Sequence, residues 1–422
     1  MLEVNKIYLG DNLELLKQLE PNSIHSCVSD FPYNLGFMGK KWDTITNYYD
    51  WCKLRAEGIY KALKPGGYCL IFGGTRTHHR LVCAFEDAGF EIRDEIQWIY
   101  GSGFPKSMDI SKAIDKKAGA EREIVGIKPG HEEFANRKSK GDTVFKGGME
   151  GFDRPWLHDE EKRQMYHMQT APSTDEAKQW DGWGTALKPA HEPIMVARKP
   201  LSEKTVIDNV LKWDVGGINI NDSRIEFSEN DDPRIGKNYK HNAKAGLENG
   251  SHKDNASGQE QLLHNPQGRF PANIIFDEEA GQLLDEQSGT LKSGKNATRK
   301  NPDAKGYHGN WGTGQEMTTY GDSGGASRFF YCAKANKKDR TENNQIENNH
   351  PTVKPTDLIK YLIRLVTPKN GICLDVCEGS GTHIKACLQL TKEDYPVQYI
   401  GFENEKESFN ISINRESLNN II

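Results

Sequence analysis

The stretch Ser29-Asp30-Phe31-Pro32-Tyr33 sets a carboxylate, a stiffened backbone and an aromatic ring directly after an apolar run, Ile24 to Ser29. These groups suit substitution at an amino nitrogen that is conjugated to an aromatic ring. Such a nitrogen is a poor nucleophile because its lone pair is delocalised. A carboxylate and a backbone carbonyl that accept its two N–H bonds favour a pyramidal nitrogen and localise that pair. They also stabilise the charge that builds during attack. Asp30 supplies the carboxylate and Phe31 the carbonyl. Pro32 restricts Phe31 to an extended conformation and so fixes the direction of that carbonyl. Tyr33 offers a face on which an extruded nucleobase can stack. Taken alone, the same four residues also fit an ordinary turn after a strand.

A second stretch near the other end, Asp375-Val376-Cys377-Glu378-Gly379-Ser380-Gly381-Thr382, follows a predicted strand, Gly371 to Val376, and opens a predicted helix, Thr382 to Leu390. Strand, tight glycine turn and helix is the form that cradles a nucleotide-like cofactor. Glu403 ends the next strand, Gln398 to Glu403, where an acid commonly holds ribose hydroxyls. Asp11, after the strand Ile7 to Leu9, suits either an acceptor for a cofactor's adenine amine or a helix N-cap. Neither end makes an enzyme alone. Together they suggest methyl transfer from S-adenosyl-L-methionine to an exocyclic amine of a nucleobase.

The elements that must position these groups fall into three zones. Residues 1 to 100 alternate strand and helix signals. A helix is expected from Asn12 to Leu19 with Leu13, Leu16 and Leu19 on one side, and another from Trp51 to Leu63 that stops at Lys64-Pro65-Gly66-Gly67. Tyr68 to Phe72 reads as a buried strand, Arg80 to Ala88 as a helix and Ile92 to Tyr100 as a strand. Residues 101 to 345 are long and polar, with Glu192 to Arg198 expected to pair antiparallel with Ile92 to Tyr100 at a sheet edge. Ser228 to Gln261 and Ser288 to Ser323 read as mobile loops. Order returns over 346 to 422, where Thr356 caps a helix to Val366 with Leu358, Leu362 and Leu365 on one face. A βαβ unit and a final helix from Glu405 follow.

With 422 residues, 36% of them hydrophobic, the chain is long enough for one large α/β domain and a substantial insertion. No apolar run approaches the roughly 20 residues that span a bilayer, and the N-terminus lacks a signal-peptide pattern. A cytoplasmic protein with no membrane partner is expected, in a bacterium or a phage-infected host. The eight cysteines have no zinc spacing and are taken as packing residues, with no metal expected. The net charge of −5 points weakly away from nucleic acid, although a local basic face on an acidic body is compatible with it.

The ordered set Gly10-Asp11-Asn12, Ser29 to Tyr33, Lys64 to Gly67, His350-Pro351-Thr352-Val353-Lys354-Pro355, Leu374-Asp375 with Gly379 to Thr382, and Gly401-Phe402-Glu403 resembles the β-class amino-group DNA methyltransferases. Those enzymes carry the catalytic motif first, a target-recognition segment next and the glycine-rich cofactor motif last. Gly101 to Lys106 and Gly268 to Asn273 look like segments of phage and prophage members.

The resemblance implies a Rossmann-like fold for S-adenosylmethionine-dependent methyl transfer. It implies a mixed, mostly parallel seven-stranded sheet with permuted motif order and an inserted target-recognition region. It also implies catalysis by Asp30, Phe31, Pro32 and Tyr33, and cofactor binding by Asp11, Lys354, Thr356, Asp375, Gly379, Ser380, Gly381, Thr382 and Glu403. Lys106, Arg269, Arg328 and Lys334 become candidate contacts to double-stranded DNA, with Trp180 and Trp183 packing inward or reaching bases. Two positions depart from the family pattern: Phe31 stands where proline is usual, and Cys377 where an aromatic is usual. Glu378 adds a negative charge expected near the cofactor's carboxylate. Adenine N6 is favoured over cytosine N4, because aspartate at the first motif position is commoner in adenine enzymes. The other readings are cytosine-N4 methylation, an impaired DNA-binding homologue, and methylation of RNA or a protein glutamine. The sequence leaves monomer or homodimer open.

Overall fold

A computed structural model describes residues 2–36, 41–101, 103, 107–129, 167–227, 268–292, 297–298, 305–306, 309–310, 316–317, 323–334, 341–348, 350 and 352–421. Contacts group the chain into two units. One holds Met1–Gly101, His191–Asn348 and Val353–Ile422, and the other Ser102–Ala190 and Asn349–Thr352. The polar middle segment is thus divided between them.

The first unit is built on a nine-stranded sheet. Its strands are β1 (Lys6–Leu9), β2 (Ile24–Asp30), β3 (Leu63–Phe72), β4 (Glu91–Ile99), β5 (His191–Arg198), β6 (Ile274–Asp277), β7 (Tyr331–Ala333), β8 (Ile372–Asp375) and β9 (Gln398–Glu403). They lie in the order β1-β9-β8-β2-β3-β5-β4-β6-β7. Only β5 runs against its neighbours; every other pairing is parallel. The expected mostly parallel sheet is present, with two strands more than the expected seven. The additions, β6 and β7, come from the polar middle segment and extend the sheet beyond β4. The expected antiparallel partner of β4 is also present, but β5 is interior, between β3 and β4. Its Pro193–Arg198 run is buried on both faces, which an edge strand would not require.

Among the described residues the unit also contains helices α1 (Asn12–Leu16), α2 (Tyr48–Ala62), α3 (His78–Asp87), α4 (Val206–Trp213), α5 (Glu278–Ser288), α6 (Thr356–Val366), α7 (Thr382–Lys392) and α8 (Lys406–Ile421). Alternation along the strands sends side chains to two separate cores. Val28, Leu70, Phe72, Ile194 and Val196 pack with α6 and α7. Cys27, Cys69, Ile71, Met195 and Leu374 pack with α1, α2 and α3 on the other face. Leu358, Leu362 and Leu365 of α6 are all buried as expected, each contributing about 1.5–3 kcal/mol.

Several boundaries differ from expectation for local reasons. Lys64-Pro65-Gly66-Gly67 does not form a loop. Helix α2 ends at Ala62 and the four residues run within β3, with a register shift opposite Ile24 and Ser26. Gly66 makes this possible. Its φ is +86°, and a Cβ there would lie 2.4 Å from Asn209 Nδ2. That amide donates to the carbonyls of Pro65 and Val215 at 2.8 and 2.9 Å. Thr356 is the first helical residue of α6 rather than its cap; Pro355 holds the cap position without a side-chain bond. No cysteine is in a disulfide, and most are buried, but Cys83 is exposed and is not a packing residue. Ser228 to Gln261 lies outside the described residues. Within Ser288 to Ser323 the described residues include Leu291–Lys292, which pairs antiparallel with Ser323–Gly324. No helix among the described residues is long and apolar enough to cross a membrane.

In the second unit the helix Ile110–Ala118 carries a buried Asp115. Burial pulls that carboxyl's pKa up. The N–H groups of Ser173 and Thr174, the Thr174 hydroxyl and Arg122 outweigh burial and hold it down to about 2. Trp180 and Trp183 meet edge to face at 5.0 Å and are both exposed.

Candidate active site

Two chain reversals meet where the sheet changes winding direction. From β2 the chain goes through α2 to β3 on one side. From β8 it goes through α7 to β9 on the other. The crevice outside the carboxyl ends of β2 and β8 is therefore the topological switch point, where open α/β sheets bind ligands. Cys373 and Leu374 pair in register with Ser26 and Cys27. That register carries Ser29 to Asp375: Ser29 Oγ donates to Asp375 Oδ1 at 2.6 Å, and the Cys377 N–H donates to the same oxygen at 2.8 Å.

Asp30 ends β2 with its carboxylate partly exposed. Lys354 Nζ pairs with Oδ2 at 2.5 Å and with Glu192 Oε2 at 3.4 Å. Asp30 Oδ1 is buried and accepts no hydrogen bond from any described residue. An acceptor left open beside a cation is the arrangement that an incoming N–H donor completes. Tyr33 donates its hydroxyl to Glu192 Oε2 at 2.7 Å, and the Lys354 ammonium lies 5.3 Å from its ring centre. Burial first, then the charges of Asp30 and Glu192, push the Tyr33 phenol well above its ordinary pKa. Burial lowers the Lys354 pKa, but Asp30 and Glu192 outweigh it and the net shift is upward.

The backbone of the turn is fixed from outside. Tyr48 donates to the Pro32 carbonyl at 2.9 Å and Thr77 to the Tyr33 carbonyl at 2.7 Å. Buried Asp43 accepts from the N–H groups of Asn34 and Leu35 at 2.7 and 3.1 Å. The Phe31 side chain is 1% exposed and packs against Trp51 and Phe85. It faces the core below the turn.

Beside Asp30 lies the glycine turn. Gly379 and Gly381 have φ of +60° and +88°, and a Cβ on Gly381 would sit 2.9 Å from Ser412 Cα. Glu403 Oε2 accepts from the Gly379 N–H at 2.7 Å, and Oε1 from that of Glu405 at 2.7 Å. Burial raises the Glu403 pKa to about 7 against those N–H bonds. Asp375 is likewise raised to about 7, by burial first and then by the Glu378 charge. Glu378 turns into the interior. Its side chain is fully buried, within 3.1 Å of His383 Nδ1 and accepting from the Ile384 N–H at 3.3 Å. Burial opposes a charge on His383, but Cys387, Cys373 and Glu378 outweigh it and hold the proton on. Asp375, Glu378 and His383 bring one atom each within 4.8 Å of one another, a set able to hold a cation.

The structure thus brings Asp30, Tyr33, Asp375, Gly379, Gly381 and Glu403 to one crevice, and it moves others. Asp11 is the N-cap of α1, accepting from the N–H groups of Leu13 and Glu14 at 2.9 and 3.3 Å, so the capping alternative holds. Its neighbour Asn12 does reach the turn, donating to the Val376 carbonyl at 3.0 Å and accepting from Arg55 at 2.9 Å. Lys354 lies on Asp30 and Glu192, in place of a cation reserved for a cofactor carboxylate. The Ser380 hydroxyl accepts from Asn348 at 3.1 Å and that of Thr382 from Arg415 at 3.2 Å. Thr356 is buried in the first turn of α6.

Arg269 and Arg328 converge on the half-exposed ring of Phe329, at 5.2 and 4.2 Å. Arg328 also donates to the Gly324 and Gly325 carbonyls at 2.8 and 2.6 Å. Lys334 is exposed, and Lys106 lies outside the described residues. Glu192 had no signal in the sequence beyond an acid at the start of a strand.

The family model described as DNA methylase, for N6/N4 methyltransferases, matches residues 24–414. The type II methyltransferase M.HindIII of Haemophilus influenzae is 21% identical, with 98% of this chain and 95% of that protein aligned. M.HpaI of Haemophilus parainfluenzae is 30% identical over 114 residues, 26% of this chain and 36% of that protein. Among solved structures, the PvuII DNA methyltransferase (cytosine-N4-specific) aligns over 97% of this chain and 85% of its own, at 14% identity and TM-score 0.43.

Proposed function

Because the chain belongs to the N6/N4 DNA methylase family, we propose that it methylates the exocyclic amine of a base flipped out of double-stranded DNA, adenine N6 in preference to cytosine N4. The methyl donor is S-adenosylmethionine. The observation that carries this reading is the Ser29–Asp375 hydrogen bond of 2.6 Å, which ties the strand ending in Asp30 to the strand entering the glycine turn.

The residues present fit the donor. The turn at Gly379 and Gly381 has no room for a Cβ at its second glycine, and two carboxyls, Asp375 and Glu403, stand at adjacent strand ends. Those acids suit hydroxyl donors and a cationic sulfonium. When bound, the donor supplies a methyl carbon made electrophilic by that sulfonium.

The chain's own groups act on the base. Asp30 Oδ1, buried and open, accepts one amine N–H, and the Phe31 carbonyl accepts the other. Both are in place before attack, so no reorganisation accompanies the charge that develops on nitrogen. Tyr33 presents its ring to the base, its tilt set by the bond to Glu192. Lys354 pairs with Asp30 Oδ2 and leaves Oδ1 as the acceptor. The 101–345 segment is assigned to target recognition. Arg269 and Arg328 around Phe329, with Lys334, are assigned to phosphates, and so, from the sequence, is Lys106. By analogy with its type II relatives, the protein would be the modifying half of a restriction–modification pair.

Incubation with methyl-labelled donor and duplex DNA, followed by nucleoside digestion, tests the reading. Labelled N6-methyladenine is expected. Labelled N4-methylcytosine alone overturns the base assignment, and label in neither overturns the activity.

A further inference from the structure

We propose that Glu342 and Arg415 form a buried clamp that sets the conformation of the Gly379–Gly381 turn and thereby the affinity for S-adenosylmethionine. The inference rests on the reading that this turn holds the cofactor.

Four groups of the turn are held by hydrogen bonds from α8 and from Asn348. The Gly379 carbonyl accepts from Ser412 Oγ at 2.8 Å, and the Ser380 carbonyl from Arg415 Nη1 at 3.2 Å. The Thr382 hydroxyl accepts from the same Nη1 at 3.2 Å, and the Ser380 hydroxyl from Asn348 Nδ2 at 3.1 Å. Arg415 is fully buried on α8. Its Nε donates at 2.9 Å to Glu342 Oε1, which also accepts from Lys385 Nζ of α7 at 2.9 Å. One carboxylate therefore joins the two helices that flank the turn. Orienting a guanidinium by a carboxylate on one edge fixes what its other edge can reach.

The segment that delivers this carboxylate is strained. Glu342, Asn343 and Asn344 have successive φ values of +47°, +56° and +68°. Non-glycine residues enter this region singly and at a cost, asparagine more readily than glutamate. The turn is closed locally by Ile346 N–H to the Thr341 carbonyl at 3.1 Å and by Asn344 N–H to Thr341 Oγ1 at 3.2 Å. Such a backbone persists where its surroundings over-determine it. Here the surroundings are the buried cations on Glu342 and, six residues on, Asn348 against Ser380. A stretch that is distant in sequence from the glycine motif therefore belongs to the same site.

The test uses the full-length protein and the variants Glu342→Gln, Arg415→Lys, Asn348→Ala and Gly381→Ala. Calorimetry gives the Kd for S-adenosylmethionine. Duplex-DNA binding, thermal unfolding and steady-state rates are measured alongside. Glu342→Gln and Arg415→Lys are expected to raise the donor Kd about tenfold, and Asn348→Ala about threefold. The KM for the donor should rise in step, with a smaller loss in kcat and unchanged affinity for DNA. Folded variants that lose thermal stability but bind the donor as wild type would make the clamp merely structural and overturn the proposal. Should Glu342→Gln not fold, Asn348→Ala, which leaves every buried charge in place, decides alone; wild-type affinity overturns. Gly381→Ala separates the two levels. If it too binds the donor normally, the turn is not the cofactor site and the underlying reading fails. If it binds weakly while the other three bind normally, only the clamp fails.

Discussion

At the residue scale the proposed chemistry rests on an asymmetry within one carboxylate. Asp30 Oδ2 is engaged by Lys354, while Oδ1 is buried and open to a donor. Asp30→Asn keeps the shape but turns one acceptor into a donor. It is expected to lower kcat by about 10²–10³ while donor binding is retained; a variant with near-normal turnover would remove Asp30 from the catalytic step. Phe31 behaves differently. In the proposed reaction its carbonyl is the functional group, whereas its ring is core, so Phe31→Ala is expected to cost about 3–5 kcal/mol in denaturant unfolding. A loss below about 1 kcal/mol would mean that the ring is not packed as described. The acid and the proline-stiffened turn were legible because their chemistry lies in consecutive residues. Glu192 was not, because its contact with Tyr33 and Lys354 arises only when β5 lies beside β3.

At the element scale the glycine turn and the end of β9 put carboxyls under pressure. Asp375 and Glu403 are both raised to about 7 by burial. The folded protein therefore keeps protons that the unfolded chain has released once the pH exceeds the ordinary carboxylate range near 4. The stability this gives is complete below that range and is lost as the pH rises through about 7. Unfolding free energy of the donor-free protein should fall between about pH 4 and 7, and less steeply in Glu403→Gln. Parallel pH profiles for the two would contradict the raised Glu403 pKa. Element types were read well where periodicity was strong, as in α6 and β9. Lys64-Pro65-Gly66-Gly67 marked the end of α2, but breakers do not say whether a neighbouring strand takes up the residues after the helix. Asn209, which satisfies the carbonyls beside Gly66, is more than 140 residues away. The cap at Asp11 and the inward hydroxyls of Ser380 and Thr382 show the same limit, since motif position indicates a neighbourhood and not a partner.

At the scale of the whole molecule, the motif proposed to handle the base and the turn proposed to hold the donor follow adjacent parallel strands, β2 and β8. The switch point was inferable from the two βαβ patterns. The extension of the sheet by β6 and β7 was not, because four- and three-residue strands set in polar sequence carry little periodic signal. These additions hold Arg269 and Arg328 close to the sheet's far edge, around Phe329. If the pair contacts phosphates, Arg269→Ala should weaken duplex binding uniformly across sequences and reduce the salt slope by about 1. An unchanged slope would assign the stack to folding alone. The central claim is that Asp30 and the glycine turn form one methyl-transfer site, and a paired measurement on wild type and Asp30→Asn tests it most directly. Each protein is assayed for calorimetric donor affinity and for transfer of labelled methyl to duplex DNA. Equal donor affinity is expected, with label entering adenine N6 in the wild type and nearly none in the variant. Equal labelling by both proteins, or a wild type that binds donor and duplex yet labels no base amine, would contradict it.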